Sequence, residues 1–344
     1  MINQALNSTK KLPIIPHNLF TQHLNKKNSK FKFIDLFAGI GGIRIGFESV
    51  GGECVFTSEW DKPAQQTYQA NFGELPYGDI TKIDPNEIPS FDILLAGFPC
   101  QPFSQAGLKK GFEDTRGTLF FDIARIVEHH NPSVVFLENV RNLKGHDKGN
   151  TLKVIIQTLE NLGYSVFHRL YNAKDFGVPQ NRVRIYIIAF KDNVKFKFPE
   201  EPKPSVKLGD ILEKKVDDKY TISDRLWAGH QRRKREHKEK GNGFGYSIFN
   251  KDSEYTSTIS ARYYKDGSEI LIEQKGKNPR KITPREAARL QGFPDDFIIP
   301  VSDNQAYKQF GNSVAVPVIK FLAKEVISSV ETFKNNILEK YEDR

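Results

Sequence analysis

Cysteine is scarce: the 344 residues hold two, Cys54 and Cys100. Two thiols cannot build a disulfide framework, and no zinc-ligand spacing occurs, so neither cross-links nor a metal is expected to hold the fold or serve the site. A reducing, cytoplasmic setting is the natural reading. No apolar run approaches the roughly 18 residues needed to span a bilayer. The N-terminus lacks the continuous apolar region and small-residue cleavage site of a signal peptide. No internal repeat or low-complexity tract stands out. The chain does have 26 phenylalanines and a 38% hydrophobic fraction, enough for a sizeable core at this length. Its 51 Lys and Arg against 42 Asp and Glu leave a net charge of +9, which favours a polyanionic partner.

The length suits a large domain with a smaller one. Residues 1–30 read as a polar extension. From Phe31 onward, short apolar runs alternate with amphipathic stretches. Strands are expected at Phe31–Phe37, Cys54–Ser58, Phe91–Ala96, Val134–Leu137 and Arg184–Phe190, and helices at Ile43–Val50, Lys62–Phe72, Leu119–His130 and Thr151–Leu162. This rhythm implies βαβ units and an α/β, doubly wound, mostly parallel sheet. It stops near Phe196, where prolines, charge runs and irregular segments begin. The expected division is a first domain of residues 31–195 and 311–344, a second of 196–283, and a hinge at 284–310. The apolar stretch Val314–Val330 should return as a helix to pack on the first domain.

Asp35–Gly42 (DLFAGIGG) is a glycine-rich turn between a strand and a helix, with Gly39, Gly41 and Gly42 letting backbone approach a ligand. Asp35 is expected to order this turn. Arg44 occupies the position of the third glycine of a dinucleotide fingerprint, which argues against a pyrophosphate ligand and a nicotinamide oxidoreductase. Glu59 ends the second strand, where an acid binds ribose hydroxyls. Trp60 can stack on adenine, and Asp79, after a third strand-like segment, can accept from its amino group. The turn alone would pass for an ordinary tight βα connection; three polar or aromatic groups at successive strand ends make it a binding site.

Cys100 follows the strand Phe91–Ala96 in the loop segment AGFPCQPFSQAG, where catalytic groups gather. Cys54, by contrast, reads as a small buried hydrophobe. Glu138 ends another apolar strand (FLENV). A carboxyl at a sheet mouth is partly desolvated, so its pKa rises and it can donate a proton. Arg182 and Arg184 alternate in QNRVR and point to one side of an extended segment at the sheet rim.

DLFAGIGG, EWD, GDI, GFPCQPFS, ENV, QNRVR, RLQGFP and FGNSV occur in this chain. Together they closely resemble the DNA (cytosine-5-)-methyltransferases of bacterial restriction–modification systems, over nearly all of Phe31 to about Ser328. The resemblance implies S-adenosylmethionine as methyl donor, with S-adenosylhomocysteine as product. Cys100 would attack C6 of cytosine, Glu138 would protonate or hydrogen-bond N3, Arg184 would bind O2, and Arg182 would steady the catalytic loop. Phe37 would pack on adenine, Leu119, Asn312 and Ser313 would line the cofactor site, and Pro99 would sit near the base.

The resemblance also implies duplex DNA as partner, a monomer, and a possible restriction endonuclease counterpart. Attack on C6 needs access perpendicular to the ring, so the base must leave the stack. The loop Gln101–Gly117, carrying Ser104 and Arg116, would close over DNA. Gln101 or Gln105 would fill the vacated stack, because Ala106 replaces a serine that does so in a relative. Arg232, Arg233 and Arg235 lie in a basic run suited to phosphates. Thr258 and Ile259 match the family's Thr-Ile/Leu pair near the target's flanking phosphate and base. Arg262, Tyr263, Tyr264 and Lys265 are candidates for base-edge contacts. These segments resemble those of members that methylate CC-(N or W)-GG or CCGG sites. Two alternatives remain: a tRNA cytosine-5 methyltransferase, and a catalytically inactive DNA-binding homologue.

Overall fold

The computed structural model describes residues 29–99, 119–243 and 245–342, the side chains only as far as residue 339. Cys100 and the segment 101–118 therefore lie outside the described residues. A six-stranded sheet forms from β1 (Phe31–Leu36), β2 (Gly52–Ser58), β3 (Ile93–Gly97), β4 (Val134–Val140), β5 (Ser165–Asn172) and β6 (Val183–Phe190), in the order β2-β1-β3-β4-β6-β5. The first four strands pair in parallel. β6 runs antiparallel to both neighbours, with Val140 opposite Arg184 and Gly97 of β3 opposite Glu138. The mostly parallel expectation thus needs one amendment, and it matters. The start of a reversed strand lies beside the carboxyl ends of the parallel ones, so β6 delivers Arg182 and Arg184 to the rim that carries Glu138.

Helices α1 (Gly42–Glu48), α2 (Lys62–Phe72), α3 (Leu119–His130) and α4 (Asn150–Asn161) follow the first strands within the expected rhythm. β5 escaped the sequence pattern because it is an edge strand: Val166, Phe167 and Leu170 are only half-buried, and His168 is exposed. The segment before Asp79 contributes a single bridge, Tyr77 to Ser58, instead of a strand. Two apolar layers cover the sheet. One packs Ile34, Leu36, Leu94 and Leu137 under α3 and α4, with Ile123, Ile126, Ile155 and Leu159. The other packs Phe33, Leu95 and Phe136 against Phe47 of α1 and Ile319, Leu322 and Val326 of the C-terminal helix α8 (Val316–Glu342).

Beyond Phe196 lie α5 (Asp224–Glu239), a three-stranded sheet of β7 (Ile248–Phe249), β8 (Leu271–Ile272) and β9 (Arg280–Lys281), then α6 (Pro284–Leu290) and α7 (Asp303–Asn312). A third core unites them with the first region: Ile40 and Ile45 pack with Ile259, Tyr263, Ile282, Leu290, Phe297 and Phe310. α6 begins with a reciprocal cap between Thr283 and Glu286. Glu286 is fully buried and takes a bidentate ion pair from Arg280, at 2.7 and 2.9 Å, that fastens β9 to the helix. Among the described residues, no helix is long and apolar enough to cross a membrane.

Gly46 is where α1 meets α8: a Cβ there would come within 2.3 Å of Ile319 Cγ2 and 3.1 Å of its backbone carbon. A Gly46→Ala change would gain about 1 kcal/mol of helix propensity. The clash involves backbone and should cost about 1–3 kcal/mol or more. We expect Gly46→Ala to lower the unfolding midpoint in urea; an unchanged or raised midpoint would show that α8 can slide on α1.

Candidate active site

At the carboxyl ends of β1–β4 a cavity of about 1130 Å³ opens, lined among others by Phe37, Gly39, Gly42, Glu59, Trp60, Asp79, Pro99, Leu119, Glu138, Arg182, Arg184, Asn312 and Ser313. Its glycine turn is strained by design: Phe37, Gly39 and Gly41 have φ of 55°, 57° and 82°. The left-handed conformation costs Phe37 about 1–2 kcal/mol. It is held because Ala38 N–H donates to Ser58 O and Gly39 N–H to Glu59 Oε2 at 2.8 Å. Asp61 N–H donates to the other oxygen, Oε1, also at 2.8 Å. Each Glu59 oxygen keeps a lone pair for a ligand. Trp60 beside it is 71% exposed and offers a large aromatic face. Asp79 accepts from Thr81 N–H and Oγ–H, bonds that hold its carboxyl below the ordinary range and keep it an ionised acceptor.

Two residues assigned to this site from the sequence face elsewhere. The Cβ position of Gly41 points at the Phe72 ring, 2.3 Å away, so this glycine permits helix packing and does not line the cavity. Asp35 lies within β1, fully buried, and does not line the cavity. Neither of its oxygens has a hydrogen-bond partner among the described residues. Desolvation pushes its pKa up to about 8 against the opposing field of Arg44. Its surroundings are a buried polar group. Arg44 bonds Glu48 at 2.6 Å, the Tyr68 hydroxyl at 2.7 Å, and Glu74, while its guanidinium lies 4.4 Å from the Phe72 ring centre. Arg44 is therefore a fastener of α1 to α2. Cys54 borders the same group; burial raises its thiol to about 12, so it is unreactive, but it is half-buried with its Sγ 3.4 Å from Thr57 Oγ1, not the fully buried hydrophobe expected.

Glu138 and Arg184 form the chemical centre. Their Oε1 and Nε are 3.3 Å apart, both side chains largely buried. Glu138 Oε1 has no hydrogen-bond partner among the described residues, so the carboxyl is charge-paired but under-solvated. Burial raises its pKa, with Arg184 and then Arg182 opposing. A carboxyl whose pKa is raised by burial can donate a proton to a base placed in the cavity. The neighbouring Asn139 had no assigned role in the sequence reading. Its Nδ2 donates to Phe98 O and its Oδ1 accepts from Val140 N–H, both at 2.8 Å, bracing the chain two residues before Cys100.

Arg182 also borders the cavity but spends its guanidinium on carbonyls of Ile259, Gly311 and Ser313. Gln180, likewise unassigned, is fully buried. It accepts from Ile259 N–H at 3.1 Å and donates to Leu290 O at 3.0 Å.

The candidates for DNA contact divide. Arg232, Arg235, Arg262, Tyr264 and Lys265 are exposed, while Arg233 pairs with Asp266 at 3.0 Å. The Thr258 hydroxyl donates to Asn181 O at 2.6 Å. Ile259 and Tyr263 correct the expectation: both are fully buried. The Tyr263 hydroxyl donates to Ile270 O and accepts from Ile282 N–H, so these two side chains support the segment and leave contact to their neighbours. Gln101, Ser104, Gln105 and Arg116 fall outside the described residues.

The six-stranded sheet, its one reversed strand set between β4 and the edge, and the helices on both faces make a distinctive α/β fold. Two solved structures share it: the Entamoeba histolytica methyltransferase EhMeth, with a TM-score of 0.71, 22% identity and cover of 87% of this chain and 98% of that one, and the S. pombe Dnmt2 methyltransferase, with 0.71, 21%, 87% and 99%. A model of the C-5 cytosine-specific DNA methylases matches residues 31–328. Type II methyltransferase M.SsoII of Shigella sonnei is 64% identical over 314 residues, 90% of this chain and 83% of the relative. Type II methyltransferase M.HpaII of Haemophilus parainfluenzae is 50% identical over 341 residues, 92% and 95%. The chain belongs to the C-5 cytosine-specific DNA methylase family and is a DNA (cytosine-5-)-methyltransferase.

The Asp35 carboxyl makes a testable demand on pH. Its folded pKa is raised, from 3.8 to about 8, so the native state holds a proton that the unfolded chain releases. The stability tied to that proton is complete below the ordinary carboxyl range and is lost as pH rises towards 8. In urea unfolding between pH 6 and 8, the wild type should lose up to about 1.4 kcal/mol per pH unit relative to Asp35→Asn. Parallel profiles would mean that Asp35 does not titrate in this window.

Proposed function

We propose that the chain methylates C5 of a cytosine extruded from duplex DNA, as a monomer and as the modification partner of a type II restriction endonuclease, with S-adenosylmethionine as donor. The observation that carries the reading is the under-solvated Glu138–Arg184 pair, in one cavity with Glu59, Trp60 and Asp79 and bordered by Pro99, the residue before Cys100. The two relatives' names support the type II setting.

The residues fit the cofactor. The cavity exceeds the volume of a nucleoside carrying an amino-acid tail. Glu59 offers two acceptor oxygens for ribose hydroxyls, Asp79 an acceptor for an adenine amino group, and Trp60 and Phe37 flat apolar faces. Asn312 and Ser313 would hold the methionine end. When bound, the cofactor supplies an electrophilic methyl group.

The protein's own residues do the rest. The Cys100 thiolate adds to C6 of cytosine, pushing electrons towards N3 and O2. Glu138 delivers a proton to N3, and Arg184 holds O2 as negative charge develops there. C5 becomes nucleophilic and takes the methyl group. A base takes the C5 proton, its electrons expel the thiolate from C6, and N3 returns its proton to Glu138, restoring the ring. Asn139 holds Phe98, two residues before Cys100, at the end of β3.

Duplex DNA would lie across Thr258 and the exposed Arg262, Tyr264 and Lys265, with phosphates on α5, where Arg235 and Arg232, the latter 3.6 Å from Glu236, face solvent. Residues 196–283 would form the target-recognition part, the site being of the CC-(N or W)-GG or CCGG kind. The α5 reading is favoured by six Lys and Arg against two Glu in Gln231–Lys240 and by a helix with a single buried residue, His230.

A duplex bearing 5-fluorocytosine at the target should trap a covalent protein–DNA adduct in the presence of cofactor, and Cys100→Ser should abolish it. A denaturing gel without adduct would overturn the assignment of the nucleophile. Glu138→Gln should cut turnover by about 100-fold or more while cofactor affinity stays within about threefold; equal losses in both would remove Glu138 from the chemistry. Neutralising Arg232, Arg233 and Arg235 together should flatten the salt dependence of DNA affinity; an unchanged slope would make α5 a solvated face.

A further inference from the structure

Arg182 is a buried cation to which, among the described residues, no carboxylate is hydrogen-bonded. Its Nη1 donates to Ile259 O at 3.2 Å, and its Nη2 donates to Gly311 O at 3.1 Å and to Ser313 O. Nε has no partner among the described residues. Burial drags the pKa of the group down to about 9, with Arg184 adding to the strain. Burying a charge this way is costly unless the dipoles around it are held in place. Those dipoles come from two segments far apart in sequence. Ile259 follows Thr258 in the segment whose exposed neighbours are candidates for DNA contact. Gly311 and Ser313 flank Asn312 on the wall of the cofactor cavity.

The two segments also touch directly. A Cβ on Gly311 would meet Ser260 C and O at 2.3 Å, so only glycine allows the end of α7 to lie against the backbone that follows Ile259. Gln180 makes a second joint: it accepts from Ile259 N–H and its Nε2 donates to Gln291 Oε1 at 3.1 Å, while Gln291 donates to Phe310 O at 2.6 Å. The peptide of Ile259 is thus gripped at its N–H by Gln180 and at its carbonyl by Arg182. Both grips lead to the turn at residues 310–313.

We propose that Arg182 is a positioning residue that couples the cofactor pocket to the DNA-recognition segment, each ligand strengthening the binding of the other. This rests on the assignment of the cavity to S-adenosylmethionine and of residues 258–265 to DNA. A ligand held by Asn312 and Ser313 orders the carbonyls of Gly311 and Ser313. That fixes the guanidinium, and the guanidinium fixes the carbonyl of Ile259. Linkage makes the effect reciprocal, and couplings of this kind usually lie between about 5-fold and 150-fold. Lysine cannot reproduce it, because a single ammonium on a flexible stem does not span three carbonyls in a fixed fork.

The test uses S-adenosylhomocysteine and a fluorescein-labelled duplex containing a site that the wild-type enzyme methylates. The wild type should bind the duplex at least 10-fold tighter with saturating S-adenosylhomocysteine than without it. In Arg182→Lys that ratio should fall below threefold, while S-adenosylhomocysteine affinity measured without DNA changes less than threefold. A merely structural loss would weaken both binding events and leave the ratio intact. Hydrogen exchange on the wild type provides a test that needs no variant: S-adenosylhomocysteine alone should slow exchange at the amides of residues 257–262. A wild-type ratio near one, a folded Arg182→Lys that keeps the wild-type ratio, or unaltered exchange at 257–262 would each overturn the coupling. Failure of S-adenosylhomocysteine to bind the wild type would instead overturn the assignment of the cavity.

Discussion

The meeting of Glu138 with Arg184 at the rim of the sheet is the interaction on which the rest depends. A carboxyl removed from water resists ionisation, and a guanidinium 3.3 Å away resists its protonation. The balance suits an acid that must give up a proton and recover it within one turnover. It exists only because β6 runs against β4. In a parallel strand Arg182 and Arg184, at the beginning of the strand, would sit at the opposite edge of the sheet from Glu138. Reversal puts Val140 opposite Arg184, with the two arginines and the acid at one mouth.

The same mouth is shared by parts with separate tasks. Glu59 ties the glycine turn to the end of β2 by accepting the Gly39 N–H, its other oxygen fixed by the Asp61 N–H, which helps hold the left-handed backbone at Phe37 and Gly39. Asn139 braces the exit of β3, and Gln180 and Arg182 carry the start of β6 into the recognition segment. A core containing Ile40, Ile259, Leu290 and Phe310 runs without a break between the cofactor turn and the residues beyond 196. Packed interiors move between discrete arrangements and resist continuous deformation, so a polar joint set in such a core can transmit occupancy from one side to the other.

Much of the fold was legible in the chain because its signals are local. Leu119–His130, strongly amphipathic, and Lys62–Phe72, with Pro63 near its start, form helices over the residues that the pattern marks. The edge strand β5 was not legible, since a strand half in solvent carries no continuous apolar run. Motif position also misled where a residue's direction decides its role. Asp35 and Gly41 belong to the glycine-rich motif, yet one points into a buried polar group and the other towards Phe72. Ile259 and Tyr263 stand among exposed neighbours in sequence, but their side chains fall on the inner side of an irregular segment that has no period to reveal it.

By itself the sequence determined the family, the alternation of strands and helices, the glycine turn and the identity of the chemical groups, because each of these is carried by residue types at short, fixed spacings. Only the tertiary structure decided the environment of those groups: the raised pKa values of Glu138 and Asp35, the three carbonyls around Arg182, and the burial of Ile259 and Tyr263. Desolvation and the geometry of a buried charge depend on atoms that are far apart in the chain and meet only when it folds.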